Sequence, residues 1–285
     1  METPPPVHLF SIDVEEHFQA NAFDRVISRE AWPRQPSRVV DNTVRLLELL
    51  GRRGARATCF VLGWVAERQP DLIRRIAAEG HEVASHGWWH RRITELTPDQ
   101  LRQEVRDSKR VLEDLTGRPV RGFRAPSFSI VPGREWAFDV LLEEGYTYDS
   151  SLFPIRRPGY GYPGAPPVPH EIRRPAGTLL EIPMATVSVL GWKLPAAGGG
   201  YLRQLPYRLT RAAAAEAERR NAPGMFYVHP WEVDPGQPRL PAGWLTRFRH
   251  YRGLDRMLPR LDRLLSEVRF VSVADWLASP ERRAA

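Results

Sequence analysis

The sequence predicts an α/β fold of parallel βαβ units, and three observations carry that expectation. Short β-branched runs alternate with amphipathic helical stretches over the first 150 residues, the helical stretches carry cap residues at their ends, and no internal repeat interrupts the pattern. His8 to Val14 reads as the first strand, with Pro4-Pro5-Pro6 before it as a rigid lead-in. Asp41-Asn42 offers an N-cap to a helix whose apolar face is Val44, Leu46, Leu47, Leu49 and Leu50, ending near Gly51 and Gly54. Ala57 to Leu62 is the second strand, Pro70 to Glu79 a helix stopped by Gly80, and His81 to Ser85 a third strand. Thr97-Pro98-Asp99-Gln100 is a capping box with proline at the first helical position, opening a helix that runs to about Thr116 before Gly117.

Arg121 to Arg124 is the fourth strand, and Trp136 to Glu144 is a helix stopped by Gly145. From Pro154 to Pro183 eight prolines dissolve the pattern, but Tyr160, Tyr162 and Ile172 make this an ordered surface excursion rather than a linker. Strand-like segments return at Thr178 to Ile182 and Met184 to Leu190, followed by a helix around Leu205 to Arg220 and the apolar strand Met225 to Val228. A helix near Leu254 to Val268, a strand Arg269 to Val273 and a short last helix close the chain. One continuous domain over residues 7 to 275 fits better than two.

Composition sets the outer bounds. The chain has 285 residues, with 42% apolar and 26% charged residues, which excludes global disorder and permits a true core. No apolar run approaches the roughly 18 residues of a membrane-spanning helix. The N-terminal stretch lacks a basic region, and Asp13 breaks its apolar run, so it does not read as a secretory signal. A soluble cytoplasmic protein is the resulting expectation. The net charge of +7 comes almost wholly from arginine, with Lys109 and Lys193 the exceptions. These arginines are scattered beside Glu and Asp with no run of five like charges, so a nucleic-acid partner is not expected. The single cysteine, Cys59, excludes an intramolecular disulfide and a thiolate cluster, and its apolar neighbours make it a buried, inert thiol.

Four polar groups stand at predicted strand ends, where α/β proteins build active sites. His86-Gly87-Trp88-Trp89-His90 follows the third strand, and two imidazoles four apart can reach one cation. A hydrolytic zinc site needs a third ligand, usually a carboxylate. The first strand ends in Asp13-Val14-Glu15-Glu16-His17, and the two-residue strand period turns Asp13 and Glu15 the same way. Arg124 ends the fourth strand, where it can hold a carboxylate ionised, and His229 ends the late strand as a general-acid candidate.

Taken together these motifs resemble the polysaccharide deacetylases of the NodB-homology family, also called carbohydrate esterase family four. The order matches: an acidic strand-end motif, then Ser85-His86-x-x-x-His90, then Arg124-x-Pro126, then an apolar run with His229-Pro230. Ala57 to Gly63, Tyr148 to Pro154 and Gly198 to Tyr201 look like the subgroup that accompanies exopolysaccharide biosynthesis and exosortase-type loci. The resemblance implies a distorted (β/α) barrel and metal-dependent removal of N-acetyl groups from an oligo- or polysaccharide. Asp13 would be the general base, His86 and His90 metal ligands with zinc the usual metal, Arg124 the partner of Asp13, and His229 the acid. A backbone N–H near Ser127 would help hold the oxyanion.

The sequence departs from the family in three places. Val14 replaces the second of two adjacent aspartates, so Glu15, on Asp13's side, is the better third ligand and Glu16 the other candidate. Ser127 stands where an aromatic is usual, and Leu152 and Phe153 align with the carboxylate and Trp that flank the catalytic His in many members. Asp149 and Glu181 are then the acids that could orient His229. Trp88, Trp89 and Trp231 are candidate sugar contacts, His17 a candidate extra ligand, and His81 a structural histidine. The alternatives are an allantoinase-like cyclic amide hydrolase and a catalytically silent carbohydrate-binding barrel.

Overall fold

The computed structural model describes residues 7–157 and 159–279, so Pro4-Pro5-Pro6 lies outside the described residues. Its strands are β1 (Val7–Val14), β2 (Thr58–Val61), β3 (Glu82–Ser85), β4 (Gly122–Phe123), β5 (Tyr148–Asp149), β6 (His170–Arg174), β7 (Gly177–Glu181), β8 (Thr186–Val189), β9 (Trp192–Pro195), β10 (Met225–Val228) and β11 (Arg269–Val271). The main sheet runs β10-β1-β2-β3-β4-β5-β7-β6, with β11 paired to the lower part of β1. Every pairing from β10 through β7 is parallel; the β6–β7 hairpin at the edge of this sheet is antiparallel, as is the separate β8–β9 hairpin. Beyond β7 the chain crosses to the far edge, where Met184 bridges Met225 in parallel and Ala185 N–H donates to the Met225 carbonyl at 3.1 Å. Gly198 bridges Tyr227 in parallel as well, so the outer side of β10 is met by isolated bridges rather than by a full ladder.

Strand alternation sorts the side chains into two layers. Phe10, Ile12, Cys59, Val61, Phe226 and Val228 face outward into the large cluster under the helices. Leu9, Phe60, Ala84, Tyr148, Met225 and Tyr227 form the smaller cluster on the other face of the sheet. Gly122 is glycine because a Cβ there would meet the Tyr148 ring at 2.0 Å. Carried two residues further, the inward columns deliver Asp13 from β1, His86 from β3, Arg124 from β4 and His229 from β10 to the C-terminal end of the parallel strands. The period that builds the core also aims the site.

Several local expectations hold to within a residue or two. Thr97 and Gln100 form the reciprocal capping box of helix Pro98–Thr116, which ends at Gly117 in a left-handed conformation. The Cys59 thiol is fully buried and pushed above its ordinary value by that burial. His81 Nδ1 accepts the Ala57 N–H at 3.1 Å, a structural role. Others need correction. The first long helix begins at Val39, capped by Arg38 rather than by Asp41-Asn42. Helices Gly63–Arg68, Gly199–Gln204 and Trp244–Tyr251 were not expected, since each is too short for helical periodicity to show. Within the Pro-rich stretch β6 was not expected, whereas β7 coincides with the strand-like segment read at Thr178 to Ile182 and joins the main sheet.

Candidate metal centre and active-site cavity

A cavity of about 220 Å³ opens at this end of the sheet, lined by Asp13, Glu15, His86, His90, Ser127 and His229 with Asn21, Tyr160, Tyr227 and Trp231 among the rest. Glu15, His86 and His90 bring one ligand atom each to within 4.8 Å of one another, and all three are buried. Glu15 Oε2 lies 2.7 Å from His90 Nε2 and 4.0 Å from His86 Nε2. It has no hydrogen-bond partner, and neither has His90 Nδ1. A buried carboxylate oxygen left without a partner is costly, whereas a cation between it and two imidazoles would satisfy it.

Outer contacts hold each ligand in position. The His86 Nδ1–H donates to the Arg124 carbonyl at 2.8 Å, which leaves Nε2 with a lone pair facing the cavity. Burial, with His90 nearby and Asp13 opposing, lowers the His86 pKa to about 4, so the ring is neutral as a ligand must be. The Trp231 indole N–H donates to Glu15 Oε1 at 3.0 Å and so reserves Oε2 for the cavity. Burial alone would raise the Glu15 carboxyl, but His90, His229 and His86 hold it well below the usual range. The turn between the histidines is pinned from below, where Glu104 accepts the Trp88 and Trp89 N–H groups at 3.2 and 3.3 Å and the Arg91 guanidinium. Gly87 at φ +77° and His90 at φ +52° make the reversal that turns both rings inward.

Glu16 points elsewhere. Its carboxylate accepts the Ser37 hydroxyl and the Arg38 N–H at 3.0 Å, at the N-terminus of helix Val39–Arg52, where a negative charge is favourable. His17 lies 3.7 Å from Glu16 and packs edge-on against Phe18, outside the Glu–His–His group, which corrects its candidacy as a ligand.

Arg124 is fully buried and binds Asp13 Oδ1 at 2.6 Å, Ser11 Oγ at 2.8 Å and Ser150 through its carbonyl and hydroxyl. Asp13 Oδ2 is left facing His229 Nε2, 3.9 Å away. His229 is oriented by Glu232, not by Asp149 or Glu181: its Nδ1–H donates to Glu232 Oε2 at 3.0 Å, and Arg203 holds Glu232 Oε1 at 2.7 Å. Burial opposes both charges, but Arg203 and His229 keep the Glu232 carboxyl down at about 2. Glu232, Glu15 and Asp13 raise His229 to about 9 against its own burial, and a cation neutralising Glu15 would bring that value down. The sequence did carry a signal for Glu232: proline directly after His229 with a carboxylate three residues on is the pattern of a capped helical turn.

The candidate sugar contacts fare differently. Trp231 lines the cavity but is buried, sandwiched between the rings of His229 (4.9 Å) and His250 (4.2 Å). Trp88 and Trp89 stay outside the lining; Trp88 covers Gly63 and Trp89 tilts onto Trp32. Ser127 adopts φ +56°, and its hydroxyl donates to Asn21 Oδ1 at the cavity wall. Sequence reasoning missed Asn21, Tyr160 and Tyr227, which reach the wall from separate loops and strands.

Asp149 and Glu181 lie deeper, fully buried side by side on β5 and β7. Ser151 donates to Asp149 through its hydroxyl and N–H, and Leu152 N–H donates to Glu181 Oε1, while Glu181 Oε2 has no partner. Burial raises both carboxyls, Glu181 well above its ordinary 4.5 because Asp149 adds to the effect and distant Arg124 only partly offsets it. The folded protein thus retains a proton on this pair that the unfolded chain loses above pH 4.5. Stability from this source is full below that pH and declines as pH rises through the folded value. Thermal melting of the native chain and Glu181→Gln from about pH 5 to 8 is expected to show the advantage of the native chain shrinking as pH rises. A constant difference would mean that the pair keeps no proton.

Comparison with known proteins supports the fold and the family. Residues 29–132 match the polysaccharide deacetylase family, and residues 150–278 match a domain of unknown function (DUF3473). A peptidoglycan-N-acetylglucosamine deacetylase of Bacillus cereus is 26% identical over 141 residues, 45% of this chain and 50% of that protein. A chitooligosaccharide deacetylase of Bradyrhizobium is 36% identical over 100 residues, 35% of this chain and 43% of that protein. The chain thus spans half or less of the length of these relatives. The crystal structure of Puue allantoinase superposes with a TM-score of 0.59 at 19% identity, covering 96% of this chain and 91% of that one, a likeness of fold alone. Both matched segments contribute to one α/β sheet, and the segment that matches the polysaccharide deacetylase family, residues 29–132, supplies His86 and His90 to the cavity.

Proposed function

We propose that the chain is a metal-dependent hydrolase that removes N-acetyl groups from amino sugars of a polysaccharide or its precursor. One observation carries this reading: Asp13 and His229 face each other across the cavity that holds the Glu15–His86–His90 group. A divalent cation held by those three side chains, most naturally zinc given two imidazoles and a carboxylate, would polarise the acetyl carbonyl and acidify water. Asp13 Oδ2 accepts the proton of the water that attacks the acetyl carbon, while Arg124 fixes Oδ1 and aims the carboxylate. His229 Nε2–H, backed by Glu232, protonates the amine as the C–N bond breaks, giving acetate and a free amino sugar. A backbone N–H at the Ser127 turn would donate to the carbonyl oxygen as its charge grows.

The names of the relatives support an N-acetylglucosamine-type substrate, and the stretches that resemble the exopolysaccharide-associated subgroup extend the proposal to a role in exopolysaccharide synthesis. Trp231 acts in this scheme by orienting Glu15 rather than by stacking on sugar. The likeness of fold to an allantoinase leaves cyclic amide hydrolysis as the competing activity. Acetate release from N-acetylglucosamine oligomers, measured with zinc present and after chelation, tests the proposal. Turnover that requires metal is expected; hydrolysis of allantoin with no acetate from the oligomers would overturn it.

A further inference from the structure

Helix Trp244–Tyr251 presents an uncovered apolar face. Trp244 is 79% exposed, Leu245 42% and Phe248 47%, three large apolar side chains on successive turns of one short helix. Arg247, Arg249 and Arg252 lie on or just after the helix, Arg239 in the loop before it and Arg256 at the end of the short 3-10 helix Leu254–Arg256 after it, all exposed. From Arg239 to Arg256 the chain carries these five arginines against one acidic residue, Asp255. Among the described residues none of the five has an ion-pair partner. Some exposed arginines elsewhere are tied down, as in Arg53–Asp262, Arg106–Glu144 and Arg263–Glu267, each at 2.7 Å. Arg252 lies over the Phe248 ring at 4.9 Å, so cation and apolar face form one surface.

The opposite side of the same helix is part of the site. His250 is buried and stacks on Trp231, which stacks in turn on His229. The Arg249 and Arg252 carbonyls accept from Arg203, the residue that holds Glu232. The helix therefore links an outer apolar, cationic face to the wall of the cavity.

We propose that helix Trp244–Tyr251 is a peripheral docking element for an anionic lipid surface. Trp244, Leu245 and Phe248 seat at the boundary of headgroups and acyl chains, and the unpaired arginines meet the lipid phosphates. Charge complementarity and the aliphatic member of the patch favour this partner over an acidic glycan. Aromatic rings can stack on sugars, but Leu245 has no flat face to offer one, whereas all three side chains gain from an apolar phase. No helix among the described residues is long and apolar enough to cross a membrane, so the contact would be one of surface only. The docking does not depend on the reaction assigned to the cavity.

Co-sedimentation of the full chain with phosphatidylglycerol–phosphatidylcholine vesicles and with pure phosphatidylcholine vesicles tests it. Binding to the anionic vesicles is expected, falling steeply with added salt and weak on the neutral ones. The triple change Trp244→Ser, Leu245→Ser, Phe248→Ser and the triple change Arg239→Glu, Arg247→Glu, Arg256→Glu should each weaken binding by at least about tenfold. Acetate release from soluble oligomers should be unchanged in both, which separates failure of docking from failure of the proposed chemistry. Should the apolar triple variant melt early, Trp244→Ser alone is expected to weaken binding in the same direction. No binding to anionic vesicles, equal binding by the variants, or binding to soluble polygalacturonate in place of vesicles would each overturn the proposal.

Discussion

On the proposed function, Asp13→Asn is expected to bind a divalent cation as the native chain does yet lose the proposed deacetylation by about 10³-fold, within the range for removal of a general base. The carboxylate is divided between two tasks: Oδ1 is bound by Arg124, and Oδ2 faces the cavity towards His229. Asparagine preserves an acceptor for Arg124 but cannot take a proton from water. The same change removes the counter-charge of a fully buried guanidinium, and breaking such a pair costs about 3–5 kcal/mol when nothing replaces it. Here Ser11, the two Ser150 contacts and the Phe60 ring 4.1 Å away still hold Arg124. The melting temperature should therefore fall while the variant still folds. Turnover in Asp13→Asn equal to the native rate at matched metal content would remove Asp13 from the role of base.

His86→Ala is expected to abolish retention of about one equivalent of zinc through dialysis, with affinity falling by more than about 100-fold, since even outer contacts of a ligand are worth 10- to 100-fold. Glu15→Gln should do the same, because the orphaned Oε2 is the oxygen that a cation would satisfy. Glu16→Gln should keep the metal and instead cost about 1 kcal/mol of stability, because Glu16 serves Ser37 and the Arg38 N–H at the start of a helix. Elemental analysis of the purified variants reads the outcome directly. Metal retained in Glu15→Gln but lost in Glu16→Gln would reverse the assignment.

Much of this site was legible in the sequence because strands impose a strict two-residue period on a parallel sheet. Once β1, β3, β4 and β10 are located, Asp13, His86, Arg124 and His229 fall on inward columns at the same strand ends. The His86–His90 spacing needs only a local turn, and the Thr97 capping box needs only four residues. These features depend on near neighbours in the chain, and backbone stereochemistry decides them.

Tertiary structure alone decided the rest. Asp149 and Glu181 carry the right chemistry to support His229, but β5 and β7 bury them side by side, where they interact with each other. Glu232 does the orienting because a tight turn after β10 folds its carboxylate back onto His229 and Arg203 reaches it from another helix. Glu15 and Glu16 are adjacent and chemically alike, yet one turns to the cavity and the other caps Val39–Arg52, a choice made where β1 ends and strand alternation no longer applies. Trp231, read as a sugar platform, is enclosed between two histidines, one brought from beyond position 240. The sequence by itself determined which groups could do chemistry and which way the strands aim them. Long-range packing decided which carboxylate serves which partner, because burial and the charges brought alongside set the role of an ionisable group, and neither is local in the chain.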